Sequence, residues 1–175
     1  MSVDIESYVR DIPDFPKPGI VFKDITPVLA SAEALDAAVT QLAEPARELK
    51  VDVVVGAEAR GFLLGAALAR ELGAGFVLAR KPGKLPHETV RAEYLLEYGT
   101  DALELHTDAV AEGARVLVHD DLLATGGTAR ALCELVEQLG GTVVGCSFLI
   151  ELGFLGGRQR LAGYDGHSIV RYDAG

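Results

Sequence analysis

The chain has 175 residues, 49% of them hydrophobic, and a formal charge of −10 at neutral pH. That suffices for one α/β domain with a sizeable core and is short for two. The acidic balance excludes general nucleic-acid binding, which needs a cationic face, and no apolar run reaches the ~20 residues that cross a bilayer. The opening Met-Ser-Val-Asp-Ile-Glu lacks the basic start and apolar stretch of an export signal, so a cytoplasmic protein with no membrane partner is expected. Cys133 and Cys146 fall in apolar segments and read as buried, reduced thiols.

Residues 4–12 fit a short amphipathic helix, after which Pro13, Pro16 and Pro18-Gly19 force an extended or turning path. The apolar run from Ile20 ends in a polar turn at Pro27 and reads by itself as an edge strand. Ser31 is placed to cap an alanine-rich helix over 32–49, interrupted at Pro45. Val51 to Val55 reads as a buried strand stopping at Gly56, and a helix over 63–72 closes at Gly73. Between them lies Arg60, able to grip phosphate with a planar fork or to pair with nearby Glu58 on the surface.

A further buried strand, 75–79, leads into a stretch with no acidic residue from Leu72 to His87 that holds Arg80, Lys81 and Lys84. In so acidic a chain this cluster is informative, and Pro82, Gly83 and Pro86 make it a loop able to close over an anion. Residues 91–98 and 103–106 fit a pair of strands about Gly99-Thr100-Asp101.

The stretch from Val116 to Thr128 organises the rest. An apolar strand, 116–118, stops at Asp120 and Asp121, and Thr125-Gly126-Gly127-Thr128 precedes a helix with Leu132, Leu135, Val136 and Leu139 on one face. Carboxylates at a strand's carboxyl end stand where open α/β sheets bind ligands, and unpaired amides at a helix start cradle anions. An acid pair beside a phosphate cradle calls for a ligand with two unlike ends, such as a sugar phosphate. A last strand, 142–150, ends at Glu151-Leu152, and no chemistry can be argued from the residues of the tail, 153–175. The alternation of strands and helices implies a parallel sheet with helices on both faces, while the Rossmann and P-loop glycine patterns are missing.

Taken together, Leu-Leu-Ala-Thr-Gly-Gly-Thr after the acid pair, Pro-Gly-Ile-Val-Phe-Lys-Asp-Ile-Thr-Pro, Glu-Ala-Arg-Gly-Phe, Arg-Lys-Pro-Gly-Lys-Leu-Pro and Phe-Leu-Ile-Glu-Leu resemble the type I phosphoribosyltransferases, in the form of their adenine-using branch. His119 departs from the pattern, which has an apolar residue there. The resemblance implies an α/β fold of one domain over 1–175, a mostly parallel twisted sheet flanked by helices, with a mobile hood or loop. Within it, 1–30 would hold the base and 80–106 would form a flexible catalytic loop and strands.

The implied reaction joins adenine to 5-phosphoribosyl 1-diphosphate (PRPP), giving AMP and diphosphate with Mg²⁺ held mainly through PRPP and water. The implied alternatives are another purine or pyrimidine base, or a non-catalytic purine-sensing regulator. Asp120 and Asp121 would hold the ribose, and Ala124, Thr125, Gly126, Gly127 and Thr128 the 5′-phosphate. Glu58, Ala59, Arg60, Lys81 and Lys84 would meet the diphosphate, with Glu58–Ala59 a non-proline cis peptide. Val21, Phe22, Lys23 and Leu152 would hold adenine, Glu97 would manage its proton beside Arg60 and Lys81, and Tyr98 would line the loop. A homodimer is also implied.

Overall fold

The structure is a computed structural model that describes residues 2–95 and 99–175. A 3₁₀ turn over Ile5–Tyr8 leads to β1 (Arg10–Ile12), which pairs antiparallel with β2 (Phe22–Asp24) in a ribbon of its own. The helix expected over 4–12 is thus corrected. In that turn only Ile5 is buried, and Arg10–Ile12 satisfies its backbone across the proline-rich bend instead. The strand read from Ile20 to Pro27 is likewise shorter and stands apart from the main sheet. Pro27 lies in the first turn of α1 (Thr26–Ala30), where a missing N–H costs little.

Ser31 caps α2 (Ala32–Ala43), its Oγ accepting the Ala34 N–H at 3.2 Å. From Glu44 to Leu49 the chain tightens into a 3₁₀ turn, because Pro45 cannot donate the next helical bond. β3 (Val53–Ala57) feeds α3 (Arg60–Leu72), which ends at Gly73 in the left-handed region, φ 68°. β4 (Gly75–Ala79) follows, then β5 (Thr89–Leu95) and β6 (Thr100–His106), an antiparallel pair. β7 (Arg115–Leu123), α4 (Gly127–Gln138) and β8 (Thr142–Leu152) come next, and a 3₁₀ turn, α5 (Gly157–Arg160) and β9 (Gly166–Tyr172) complete the chain.

The main sheet is parallel throughout, in the order β4-β3-β7-β8-β9. α2 and α3 pack on one face through Leu42, Leu64 and Leu68, and α4 with the β5–β6 pair packs on the other through Leu132, Leu135 and Leu103. Phe148, fully buried in the middle of β8, anchors the second face. Truncating such a ring to alanine costs about 3–5 kcal/mol. Because β4 and β7 flank β3 on opposite sides, the loops after β3 and β7 part and leave a crevice at their carboxyl ends.

Two strands run further than the sequence suggested. β7 continues through Asp120 and Asp121 to Leu123, since β8 keeps pairing with it at Phe148, Ile150 and Glu151. The acids are therefore held rigidly in a ladder instead of hanging from a turn. β8 likewise runs through Glu151, and the tail supplies the fifth strand. No described helix is long and apolar enough to cross a membrane.

Candidate active site

Three hollows meet at the crevice between β3 and β7. The first, of about 190 Å³, is bounded by Arg60 and the run Asp120–Ala129. Its floor is the turn into α4, where Gly126 takes φ +90°. A Cβ there would lie 2.7 Å from the Gly157 carbonyl oxygen, so both conformation and space restrict this position to glycine. The amides that open α4 have no helical acceptor and face this hollow along the positive end of the helix dipole.

Asp120 and Asp121 are the hollow's other wall. Asp120 Oδ1 accepts the Asp121 N–H at 2.9 Å and packs so close to Gly61 that a Cβ on that glycine would lie 2.9 Å away. Burial, then the adjoining Asp121 carboxylate, push the Asp120 carboxyl well above the ordinary carboxylate range. Asp121 instead receives Arg60 Nε at 3.0 Å. Arg60 is the first residue of α3, and its surface pairing is with Asp121, not Glu58. Beneath the acids, His119 is fully buried, and burial lowers its imidazole to about 4. Among the described residues neither ring nitrogen has a hydrogen-bond partner, nor does Ser147 Oγ of β8.

The second hollow, about 450 Å³, lies over the β3–α3 turn and is lined by Glu58, Ala59, Arg60, Lys81, Tyr94 and both aspartates, among others. The Glu58–Ala59 peptide is cis. Glu58 ties the cationic loop down: Oε1 accepts the Lys81 N–H at 2.6 Å and Arg80 Nε at 3.3 Å, and Oε2 accepts Lys84 Nζ at 2.9 Å. Burial pushes the Glu58 carboxyl up, but the Lys84 ammonium and the Lys81 amide outweigh it and hold it below its ordinary range. Lys81 Nζ binds Asp101 and donates to the Tyr94 hydroxyl at 3.3 Å, and the Asp101 partner raises its pKa.

The third hollow, about 110 Å³, is mostly apolar and is lined by Ile20, Val21, Phe22, Lys23, Leu122, Ile150 and Leu152 with Arg60 and Asp121. Phe22 is braced edge-on by Phe15 at 5.3 Å, and the Arg60 guanidinium lies 5.2 Å from its ring centre. The Lys23 ammonium is held by Asp11 at 2.7 Å and sits 3.9 Å over the Tyr172 ring, which leaves its main chain at the slot.

The structure thus gathers Val21, Phe22, Lys23, Leu152, Glu58, Ala59, Arg60, Lys81, Asp120, Asp121 and Ala124 to Thr128 at one crevice. Lys84 does not line these hollows; it reaches them through Glu58. Glu97 and Tyr98 lie outside the described residues. Described residues hold no group of three His, Cys, Asp or Glu side chains fit to cage a metal. Sequence reasoning missed Tyr94 and Asp101, whose role appears only when β5 and β6 pair and place Tyr94 opposite Asp101.

A glycine turn at a helix start, a polar cleft holding Arg60 and Lys81, an acid pair bordering both and a mostly apolar slot alongside are the features of a transferase that moves a phosphorylated sugar onto an apolar-faced acceptor. The comparisons agree with that class. The phosphoribosyl transferase domain family matches residues 26–165. An adenine phosphoribosyltransferase of Rubrobacter xylanophilus is 60% identical over 169 residues, covering 96% of this chain and 91% of that protein. The crystal structure of the adenine phosphoribosyltransferase of Thermoanaerobacter pseudethanolicus superposes with a TM-score of 0.94 at 57% identity, covering 96% of this chain and 98% of that one. That of Saccharomyces cerevisiae, complexed with adenine and an imino-altritol bisphosphate, gives 0.89 at 39% identity, covering 94% and 96%. The chain belongs to the adenine phosphoribosyltransferase family, whose members are pentosyl-transferring enzymes.

Proposed function

We propose that this protein joins adenine to PRPP at N9, releasing diphosphate and forming AMP in purine salvage. The observation that carries the reading is the meeting of three unlike hollows at one ion pair, Arg60–Asp121, which borders all of them. The cradle takes the 5′-phosphate, the acid pair takes the ribose hydroxyls, the cleft holding Arg60 and Lys81 takes the diphosphate and the Phe22–Leu152 slot takes the base.

Transfer at the anomeric carbon passes through a cation-like ribosyl state, so catalysis consists of holding N9 in line and stabilising the departing negative charge. Arg60 and Lys81 supply positive charge to the leaving group, and Lys84 follows when the loop swings from Glu58 to the diphosphate. Asp120 and Asp121 hold the ribose hydroxyls, and the Asp121 carboxylate lies on the side of the developing ribosyl cation. Backbone groups of Val21 and Lys23 read the base edge. Glu97 takes or returns the ring proton and Tyr98 lines the closing loop.

The donor set fits Mg²⁺ bound to the substrate. Three clustered protein ligands are missing among the described residues, but a crowded carboxylate pair faces both hollows, and Asp120 and Asp121 would hold the ion through ribose hydroxyls or water. Bound there, the ion would neutralise charge on the diphosphate.

The whole chain works as one domain, 1–30 at the base and 80–106 over the diphosphate, in the cytoplasm. It works as a homodimer; light scattering should give twice the chain mass. The deciding experiment offers the purified protein PRPP, Mg²⁺ and each nucleobase in turn, measuring nucleotide and diphosphate. AMP from adenine alone is the expected result, and turnover of another base in its place, or none, would overturn the reading. Glu97→Gln should then lose turnover and its pH dependence.

A further inference from the structure

The C-terminal stretch gives no residue to the three hollows among the described residues, yet it is tied to one of them. Gly157, the first residue of α5, rests against the underside of the cradle. A Cβ on Gly157 would lie 2.6 Å from the Ala124 carbonyl oxygen, and one on Gly126 would lie 2.8 Å from Arg160 Cβ. The Gly157 and Ala124 main chains approach closely here, with the Leu123 side chain and Arg160 Cβ packed beside them, so a shift of α5 must be passed on to the cradle.

α5 is a single turn and cannot hold its place unaided. Arg158 holds it. Its Nε and Nη2 reach Glu151 Oε1 at 3.0 and 2.9 Å, and Nη1 donates to the Gly166 carbonyl at 2.8 Å. Glu151 is only 2% exposed, and it also accepts Ser168 Oγ at 2.8 Å and Arg171 Nη1 at 2.9 Å. In the β7–β8 register Glu151 stands beside Leu123, the residue before the cradle begins at Ala124. A second tie joins the two helices, Arg130 Nη1 donating to the Arg160 carbonyl at 3.2 Å.

Glu151 is buried while its arginine partners are partly exposed, and an ion pair with one buried member is a poor source of stability, since well-packed apolar groups would serve as well. What it supplies is fixed geometry: a carboxylate saturated by three partners at a strand tip and a guanidinium fork with one orientation. We infer that Glu151 and Arg158 are positioning residues for the 5′-phosphate cradle, acting through Gly157 and touching no substrate. The inference rests on the phosphoribosyl reading above and gives the tail a part in it.

The test compares AMP with adenosine by calorimetric titration of the intact protein, because the difference isolates the phosphate. In Arg158→Met, AMP binding should weaken about tenfold while adenosine changes by less than about twofold. KM for PRPP should rise by a similar factor with kcat and KM for adenine little changed, and Arg158→Lys should recover part of the loss. Unchanged AMP affinity, or equal weakening of AMP and adenosine, would overturn the inference. Should Arg158→Met fail to fold, Gly157→Ala leaves the fork intact and pushes on Ala124 directly. The same AMP-selective loss is then expected, and a non-selective loss or none counts against it. Wild type run alongside separates the two readings: no AMP binding and no turnover there refutes the proposed function, whereas normal wild-type behaviour with unselective variants refutes only the role of the clamp.

Discussion

The cradle at Ala124–Thr128 and the cationic loop at Arg80–Pro86 are both assigned to anions in the proposed function, but they are made of different material. The cradle is main chain, locked by Gly126 at φ +90° and by its contact with Gly157. The loop is side chain, and its charges are already engaged: Lys84 and Arg80 with Glu58, Lys81 with Asp101. On the proposed assignment a phosphate in the cradle would meet donors that are already aimed, while a diphosphate in the cleft would compete with Glu58 and Asp101 for the loop's cations. Preorganisation at one end and ion-pair exchange at the other means that geometric changes should harm the first and charge changes the second.

The largest effect is expected where the two ends meet. Arg60→Ala removes both the partner of Asp121 and a cation of the cleft, and should lower kcat/KM for PRPP by 10²–10³, about 3–4 kcal/mol, in steady-state assays. Gly126→Ala changes no charge but forces the cradle open, and should raise KM for PRPP about 100-fold with adenine affinity nearly intact, worth about 2.7 kcal/mol. An equal rise for both substrates would erase the proposed division of labour.

Beneath both ends lies His119, and its effect should be on stability. With a folded pKa of about 4 against an ordinary 6.5, the unfolded chain binds a proton that the folded chain refuses, so stability is lost as pH falls from 6.5 toward 4. His119→Val should therefore be more stable relative to wild type at pH 5 than at pH 8, by about 2 kcal/mol in denaturant titrations. A constant difference between the two pH values would show that His119 charges freely.

The smallest effect belongs to the loop. Lys84→Ala should raise KM for PRPP about tenfold and flatten its salt dependence while leaving the cradle alone. Limited proteolysis offers a companion measurement, since PRPP with Mg²⁺ should protect the Arg80–Lys84 peptide bonds in wild type. Protection that is absent, or identical in the variant, would leave the loop without its assigned swing.

Local pattern carried much of this architecture. Valine-rich runs placed β3, β7 and β8, Ser31 and Gly73 marked helix ends, and Gly75–Ala79 was read with the bounds it has. Legibility failed where a segment's conformation depends on a distant partner. Arg10–Ile12 is a strand because Phe22–Asp24 lies opposite, and the acids stay in β7 because β8 continues alongside. The site divides the same way. The cradle and Arg60 belong to contiguous motifs and were visible, whereas Asp101 serves Lys81 from 20 positions away and Arg171 serves Glu151 from the same distance. The tail looked inert because its meaning lies in residues that precede it.

The Arg60–Asp121 pair has a wider consequence. One contact at 3.0 Å borders all three hollows, so a ligand that shifts this pair from one hollow changes a wall of the other two. Linkage then demands reciprocity: whatever factor PRPP lends to adenine affinity, adenine must return to PRPP. Any such coupling would have to pass through a single guanidinium, that of Arg60.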